Sequence, residues 1–170
     1  MNDQSLSPSA ARLSHTGPDG AARMVDVGDK PASARSATAE GMVRISADLE
    51  RAIRASTVTK GSVLDIARLA GVLAAKRTDE LIPLCHSLPL DAIDVNAALE
   101  AGRIRITATV RTHSRTGVEM EALTAVAVAC LTVIDMGKSI DRTMVIDGIR
   151  VTHKSGGRSG DYTAAREGTP

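Results

Sequence analysis

The chain has 170 residues, a formal charge of +1, 43% hydrophobic and 24% charged residues, a balance that suits one globular domain with a sizeable core. It holds no Phe, no Trp and a single Tyr, at position 162, so Ala, Val, Ile and Leu must do nearly all the packing. Near-neutral charge and missing aromatics argue against nucleic-acid binding, which needs a basic field and stacking surfaces. No apolar run approaches the roughly 20 residues that span a bilayer, and no membrane partner is expected.

Two cysteines without repeated spacing, Cys85 and Cys130, suit a reducing compartment rather than a disulfide scaffold. The N-terminus lacks the basic-then-apolar pattern of a signal peptide, and a cytoplasmic location is expected.

Residues 1–22, rich in Ser, Ala, Gly, Pro and Asp, read as a disordered arm. A single catalytic domain is expected over 23–155, and a flexible Gly-rich tail over 156–170. Within the domain, residues 42–45 read as a short strand, and Asp48 caps a short helix over 49–55. Ser62 opens a longer helix with Asp65 in capping-box position; it runs to about Arg77 and is apolar on most faces. Residues 92–98 and 103–111 form a hairpin around Ala101-Gly102. In its second strand Ile104, Ile106, Ala108 and Val110 share one face, and Arg103, Arg105, Thr107, Thr109 and Arg111 the other, the alternation of a sheet with one wet side. A long Ala- and Val-rich helix follows from Val118 to about Lys138, with Glu119 and Glu121 in its first turn where the helix dipole favours acids. Residues 143–153 form a last strand, bent at Gly148. This order suits an α+β fold, a ferredoxin-like antiparallel sheet with helices packed on one face.

Four places carry polar chemistry that the fold alone does not require. The segment 81–87 delivers His86 between two apolar runs, just after Pro83, with a titration range suited to proton transfer; a satisfied core histidine reads equally well. Cys85 points away from its neighbour in an extended segment and reads as a packing thiol. Lys60 and Gly61 precede a helix start, a phosphate cradle or a simple turn. On the long helix Glu121, Val128 and Asp135 recur every seven residues, and Lys138 lies within reach of Asp135. Residues 122–134 hold no charge, so an acid closing that run stands out against a plain surface ion pair. Fourteen residues at about 1.5 Å rise put Glu121 and Asp135 roughly 21 Å apart. They serve different sites, or one comes from a neighbouring chain; a composite site in a homo-oligomer is the expectation. Lys154 and Arg158, set among glycines 156, 157 and 160, suit a phosphate-wrapping loop or a loose tail. The four histidines (15, 86, 113 and 153) show no paired metal-ligand spacing, so no metal and no cofactor is expected.

Together these segments resemble the molybdenum cofactor biosynthesis protein C family, the cyclic pyranopterin monophosphate synthases. The resemblance rests on residues 24–27, 66–68 with 70–71, 74–78, 81–86 (LIPLCH), 116–125 (TGVEMEALTA), 135–136 with 138, 144–146 and 154–157. Residues 1–22 have no counterpart, and Ser87 and Pro89 stand where the family varies. The family likeness implies rearrangement of a 3′,8-cyclised dihydroguanosine triphosphate to cyclic pyranopterin monophosphate with release of pyrophosphate. It also implies a lyase and a hexamer, a trimer of dimers, with sites at the dimer interface. It places catalytic roles on Asp135, Lys138, Lys60 and His86. Substrate contacts fall on Leu84, Cys85, His86, Met120, Glu121, Arg35 and Lys154. A non-catalytic nucleotide- or pterin-binding oligomer is the alternative of another class; a metal-assisted hydrolase lacks a ligand pattern.

Overall fold

The computed structural model, which describes residues 16, 19–158 and 160–165, builds one five-stranded antiparallel sheet in the order β2-β3-β1-β4-β5. The strands are β1 (Ser33–Arg44), β2 (Ala92–Glu100), β3 (Arg103–Ser114), β4 (Val145–Ser155) and β5 (Tyr162–Thr163). Helices α1 (Ala47–Arg54), α2 (Val63–Ala75), α3 (Thr78–Leu81) and α4 (Glu119–Gly137) complete the chain. The α+β, ferredoxin-like architecture expected from the pattern is the one found. The arm expected over 1–22 lies almost wholly outside the described residues. Residues 162–163 of the expected tail pair with His153 and Lys154 of β4.

The central strand is three times the length its sequence suggests. Its inward residues are Ala37, Ala39, Gly41 and Val43, all buried, and small side chains with helical or neutral preference conceal a strand from pattern reading. Their smallness has a use. A Cβ at Gly41 would lie 2.8 Å from Val126 Cγ1 of α4, so helix and sheet meet closely without large side chains. The expected inward face of β3 holds: Ile104, Ile106, Ala108 and Val110 are fully buried. The expected bend at Gly148 is a bulge. The β1–β4 register shifts between Glu40 and Met42, and Gly148 takes φ +64, a left-handed conformation that glycine adopts without a Cβ penalty.

The caps follow the sequence. Ser62 Oγ accepts from Asp65 N at the start of α2, and Ser46 Oγ accepts from Leu49 N at the start of α1; the cap of α1 is thus Ser46 and not Asp48. At 19 residues and mean hydropathy 1.6, α4 is long and apolar enough to cross a bilayer, which corrects the expectation that no such stretch exists. More than half of it is buried inside the fold, where Ala122, Ala125, Val126, Ala129, Cys130 and Val133 are fully covered. That is the burial of a core helix that is apolar all round.

Helices α2 and α4 touch through Gly71, where a Cβ would meet the Ala125 carbonyl and Val95 Cγ1 at 3.0 Å each. A larger residue there gains helix propensity of about 1 kcal/mol but overpacks the core at a cost of about 1–3 kcal/mol. Gly71→Leu is therefore expected to lower the urea unfolding midpoint; an unchanged midpoint would show that the two helices have slack.

Candidate active site

The polar residues singled out in the sequence gather at the two ends of α4. At its N-terminal end, Met120 and Glu121 in the first turn face Leu84, Cys85 and His86, which follow α3. These five line a cavity of about 340 Å³ together with Val25, Val27 and Lys30. A second cavity of about 550 Å³ adjoins it through Lys30, Thr116, Gly117 and Glu119, and its wall carries Arg35, Arg115, Lys154 and Arg158. At the C-terminal end, Lys60, Asp135 and Lys138 sit in an open cleft of about 470 Å³ with Asp141, Arg142 and Met144. The two ends are not brought together within one chain.

At the N-terminal end the imidazole is held in one tautomer. His86 Nε2 lies 2.8 Å from the Val25 carbonyl oxygen; since a carbonyl only accepts, Nε2 carries the proton and Nδ1 is the nitrogen left to accept one. Glu121 is only 5% exposed, and burial pushes its carboxyl up to about 7, against the pull of its own backbone amide and with smaller upward contributions from Glu119 and Asp79. Burial, helped by Glu121 and Asp79, also raises the Cys85 thiol. Cys85 is thus a protonated wall residue rather than a nucleophile, although it follows a turn, its amide donating to the Ile82 carbonyl at 3.0 Å, and not the extended segment expected.

The cationic cavity is built by backbone as much as by charge. Arg35 donates from Nε to the Ser114 carbonyl at 2.9 Å and from Nη2 to the Arg115 carbonyl at 3.2 Å, which ties its guanidinium to the end of β3, and Gly157 of the loop after β4 lies against it. Gly156 and Gly157 have φ +86 and +82. A Cβ on the first would collide with the Ala34 carbonyl and on the second with the Arg35 guanidinium. Lys154 pairs with Glu119 at 3.5 Å. Lys30, Arg115 and Glu119 join the cavity walls although the sequence pattern gives them no substrate contact, whereas Arg158 is there as the glycine-flanked segment suggests. The one signal for Glu119 is its place inside the matched TGVEME run, two residues before Glu121, where the helix dipole alone already accounts for an acid.

At the other end Lys138 Nζ lies 2.7 Å from Asp135 Oδ1, and Lys60 Nζ lies 3.0 Å from Oδ2 and 2.8 Å from the Asp135 carbonyl. Two ammonium groups at a helix C-terminus also meet the negative end of its dipole. Hydrogen bonds from Lys138 and then Lys60 hold the Asp135 carboxyl at about 2, so it stays ionised at neutral pH. Lys60 therefore turns toward α4 rather than over the start of α2, where its position in the sequence suggests a phosphate cradle. The floor of the cleft is fixed by Asp141, which is 4% exposed. Burial alone would raise its pKa, but bonds from Thr143 and the Ser46 amide keep it lowered.

Among the described residues, no three of His, Cys, Asp and Glu cluster as a metal site. What the geometry offers is an enclosed carboxyl and imidazole, a cationic cavity beside them, and a carboxylate flanked by two ammonium groups. The enclosed carboxyl and imidazole suit proton transfer, and the cations beside them suit an anionic ligand. Comparison with known proteins is consistent with this chemistry. The MoaC family model matches residues 24–157, and the chain belongs to that family. It is 51% identical over 157 residues to the cyclic pyranopterin monophosphate synthase of Parvibaculum lavamentivorans, covering 91% of this chain and 98% of that one. It is 57% identical over 156 residues to the synthase of the same name from Methylobacterium sp. strain 4-46, with the same coverage. With that of Streptomyces griseus it shares 52% over 151 residues, 89% of this chain and 85% of the relative.

The raised Glu121 pKa has a sign that stability must follow. A folded value near 7 against an ordinary 4.5 means a contribution fully present below pH 4.5 and lost as pH rises through about 7. Glu121→Gln is expected to narrow the fall in unfolding midpoint between pH 5 and pH 8. A variant whose midpoint falls as steeply as the wild type would place Glu121 in water.

Proposed function

We propose that this protein is a cyclic pyranopterin monophosphate synthase of molybdenum cofactor biosynthesis. It converts 3′,8-cyclo-7,8-dihydroguanosine 5′-triphosphate to cyclic pyranopterin monophosphate and pyrophosphate, as a phosphorus–oxygen lyase. The observation that carries this reading is the pair of adjoining cavities, one holding His86 and Glu121 and the other Arg35 and Lys154. Such a pair accepts a ring system at one end and a triphosphate at the other.

The opened and re-closed rings need proton donors and acceptors at several atoms. His86, with Nε2 committed to Val25, offers Nδ1 as an acceptor. Asp135 holds Lys60 and Lys138, and these ammonium groups are the donors beside it. Leu84, Cys85 and Met120 form the apolar wall, and Arg35 and Lys154 bind phosphate oxygens. The roughly 21 Å between Glu121 and Asp135 supports a site completed by a second chain, with the Lys60–Asp135–Lys138 group of one protomer facing the His86 cavity of its partner. Exposed Ile66, Leu69 and Leu73 on α2 and Leu131 on α4, apolar at helical spacing, suit contacts between copies. A trimer of such dimers is the assembly we infer. Free Cys85 and Cys130 fit a cytoplasmic enzyme.

Purified protein given the cyclised triphosphate is expected to release pyrophosphate and pterin at a rate that EDTA leaves unchanged. Lys60→Ala and Asp135→Asn should each lower kcat on the order of 100-fold. Binding without turnover would favour a non-catalytic module. Chelator-sensitive turnover would bring a metal into the reaction, and wild-type rates in both variants would remove them from it.

A further inference from the structure

The segment that carries His86 to its cavity starts from a rigid base. Thr78 is buried, and its Oγ1 is shared between the Ala74 and Ala75 carbonyls at 3.4 and 3.1 Å, which seats α3 on the end of α2. The chain then turns twice, with Ile82 N on the Thr78 carbonyl at 2.9 Å and Cys85 N on the Ile82 carbonyl at 3.0 Å. It is caught again at Pro89, whose carbonyl accepts from Thr112 Oγ1 at 2.6 Å.

Between those ties the backbone has no support of its own. Residues 86–88 take part in no backbone–backbone hydrogen bond among the described residues. Two side chains hold them instead. The His86 ring rests on the Val25 carbonyl through Nε2 at 2.8 Å. The next residue, Ser87, donates from Oγ to Asp79 Oδ2, eight positions back on α3. One bond at the ring is a single point, about which the ring and its backbone can still move together. The Ser87–Asp79 bond is the second point, and it ties this stretch to the helix that Thr78 anchors. Asp79 lines neither cavity, yet its charge reaches Cys85 and Glu121, which puts it close behind the wall they form.

We propose that Ser87 and Asp79 are positioning residues for His86: their hydroxyl–carboxylate clasp fixes the backbone that carries the imidazole, and so keeps Nε2 on Val25 with Nδ1 left to accept a proton. The use of that acceptor in catalysis rests on the synthase reading above; the seating of the ring does not. Both residues stand outside the cavity and act through His86. A reacting group misplaced by about 1 Å can lose on the order of 100-fold in rate, so a bond behind the cavity wall governs chemistry inside it.

The test uses full-length protein with isotope-labelled histidine, and the variants Ser87→Ala, Ser87→Thr, Asp79→Ala and Asp79→Asn. A ring proton held on a carbonyl exchanges slowly with water and gives a sharp N–H signal in nuclear magnetic resonance. The His86 signal, assigned by its loss in His86→Ala, should be sharp in the wild type and broadened in both alanine variants. Ser87→Thr and Asp79→Asn, which keep donor and acceptor, should retain it. In pyrophosphate release each alanine variant should lose about tenfold in kcat with KM changed less than about threefold. The double alanine variant should lose no more than either alone, since all three remove the same bond. A sharp His86 signal with wild-type kcat in Ser87→Ala overturns the proposal, and so do losses that multiply in the double variant. A wild-type protein that releases no pyrophosphate overturns the synthase reading, and the ring signal then decides the clasp by itself.

Discussion

Helix α4 lies on the sheet with Ala122, Val126, Ala129 and Val133 fully buried, and its backbone hydrogen bonds fix its length. Nineteen residues at about 1.5 Å each make a rod of about 28 Å. The carboxyl–imidazole cluster and its cationic cavity stand at one end of that rod, and the Lys60–Asp135–Lys138 group stands at the other. The rod can lie so close to the sheet because β1 offers Ala37, Ala39 and Gly41 beneath it. The shortage of aromatics, odd in the composition, is the condition for this layer of small side chains.

The two ends then differ in electrostatics in a way their positions explain. Glu121 at the N-terminal end is enclosed, and desolvation holds a proton on it up to about pH 7. Asp135 at the C-terminal end is open to water and clasped by two lysines, which strip its proton down to about pH 2. One carboxyl is thus poised to exchange a proton at neutral pH, and the other is a permanent anion that orients cations. Asp135 thus fixes the Lys60 and Lys138 ammonium groups on either side of it. Because Asp135 is more than half exposed, these ion pairs add little to folding stability, and their value is geometric.

Much of this is readable in the chain. Alternation exposes β3, the caps expose α2, and the uncharged run 122–134 exposes α4 together with the acids that bracket it. Counting residues along α4 also gives the separation of its ends. What stays hidden is hidden for physical reasons. Most of β1 is written in Ala, Ser, Thr and Arg, whose strand preference comes only from packing against α4. Lys30 and Arg115 lie in segments without periodicity, and they line one cavity because residues 25–28 are tied to His86 and Arg115 across 61 and 87 positions of sequence. The direction of Lys60, toward α4 and not over α2, is tertiary information that its glycine neighbour does not carry.

A site completed by two chains is tested most directly by mixing two dead proteins. One carries His86→Ala, lacking the N-terminal cluster, and the other Asp135→Asn, lacking the C-terminal one; the two are unfolded, mixed in equal amounts and refolded together. If each site draws one cluster from each chain, random pairing restores about a quarter of wild-type activity, because half the dimers are mixed and each has one intact site. Activity that stays at the level of the separate variants, with mixed assemblies shown to be present, would contradict the composite site.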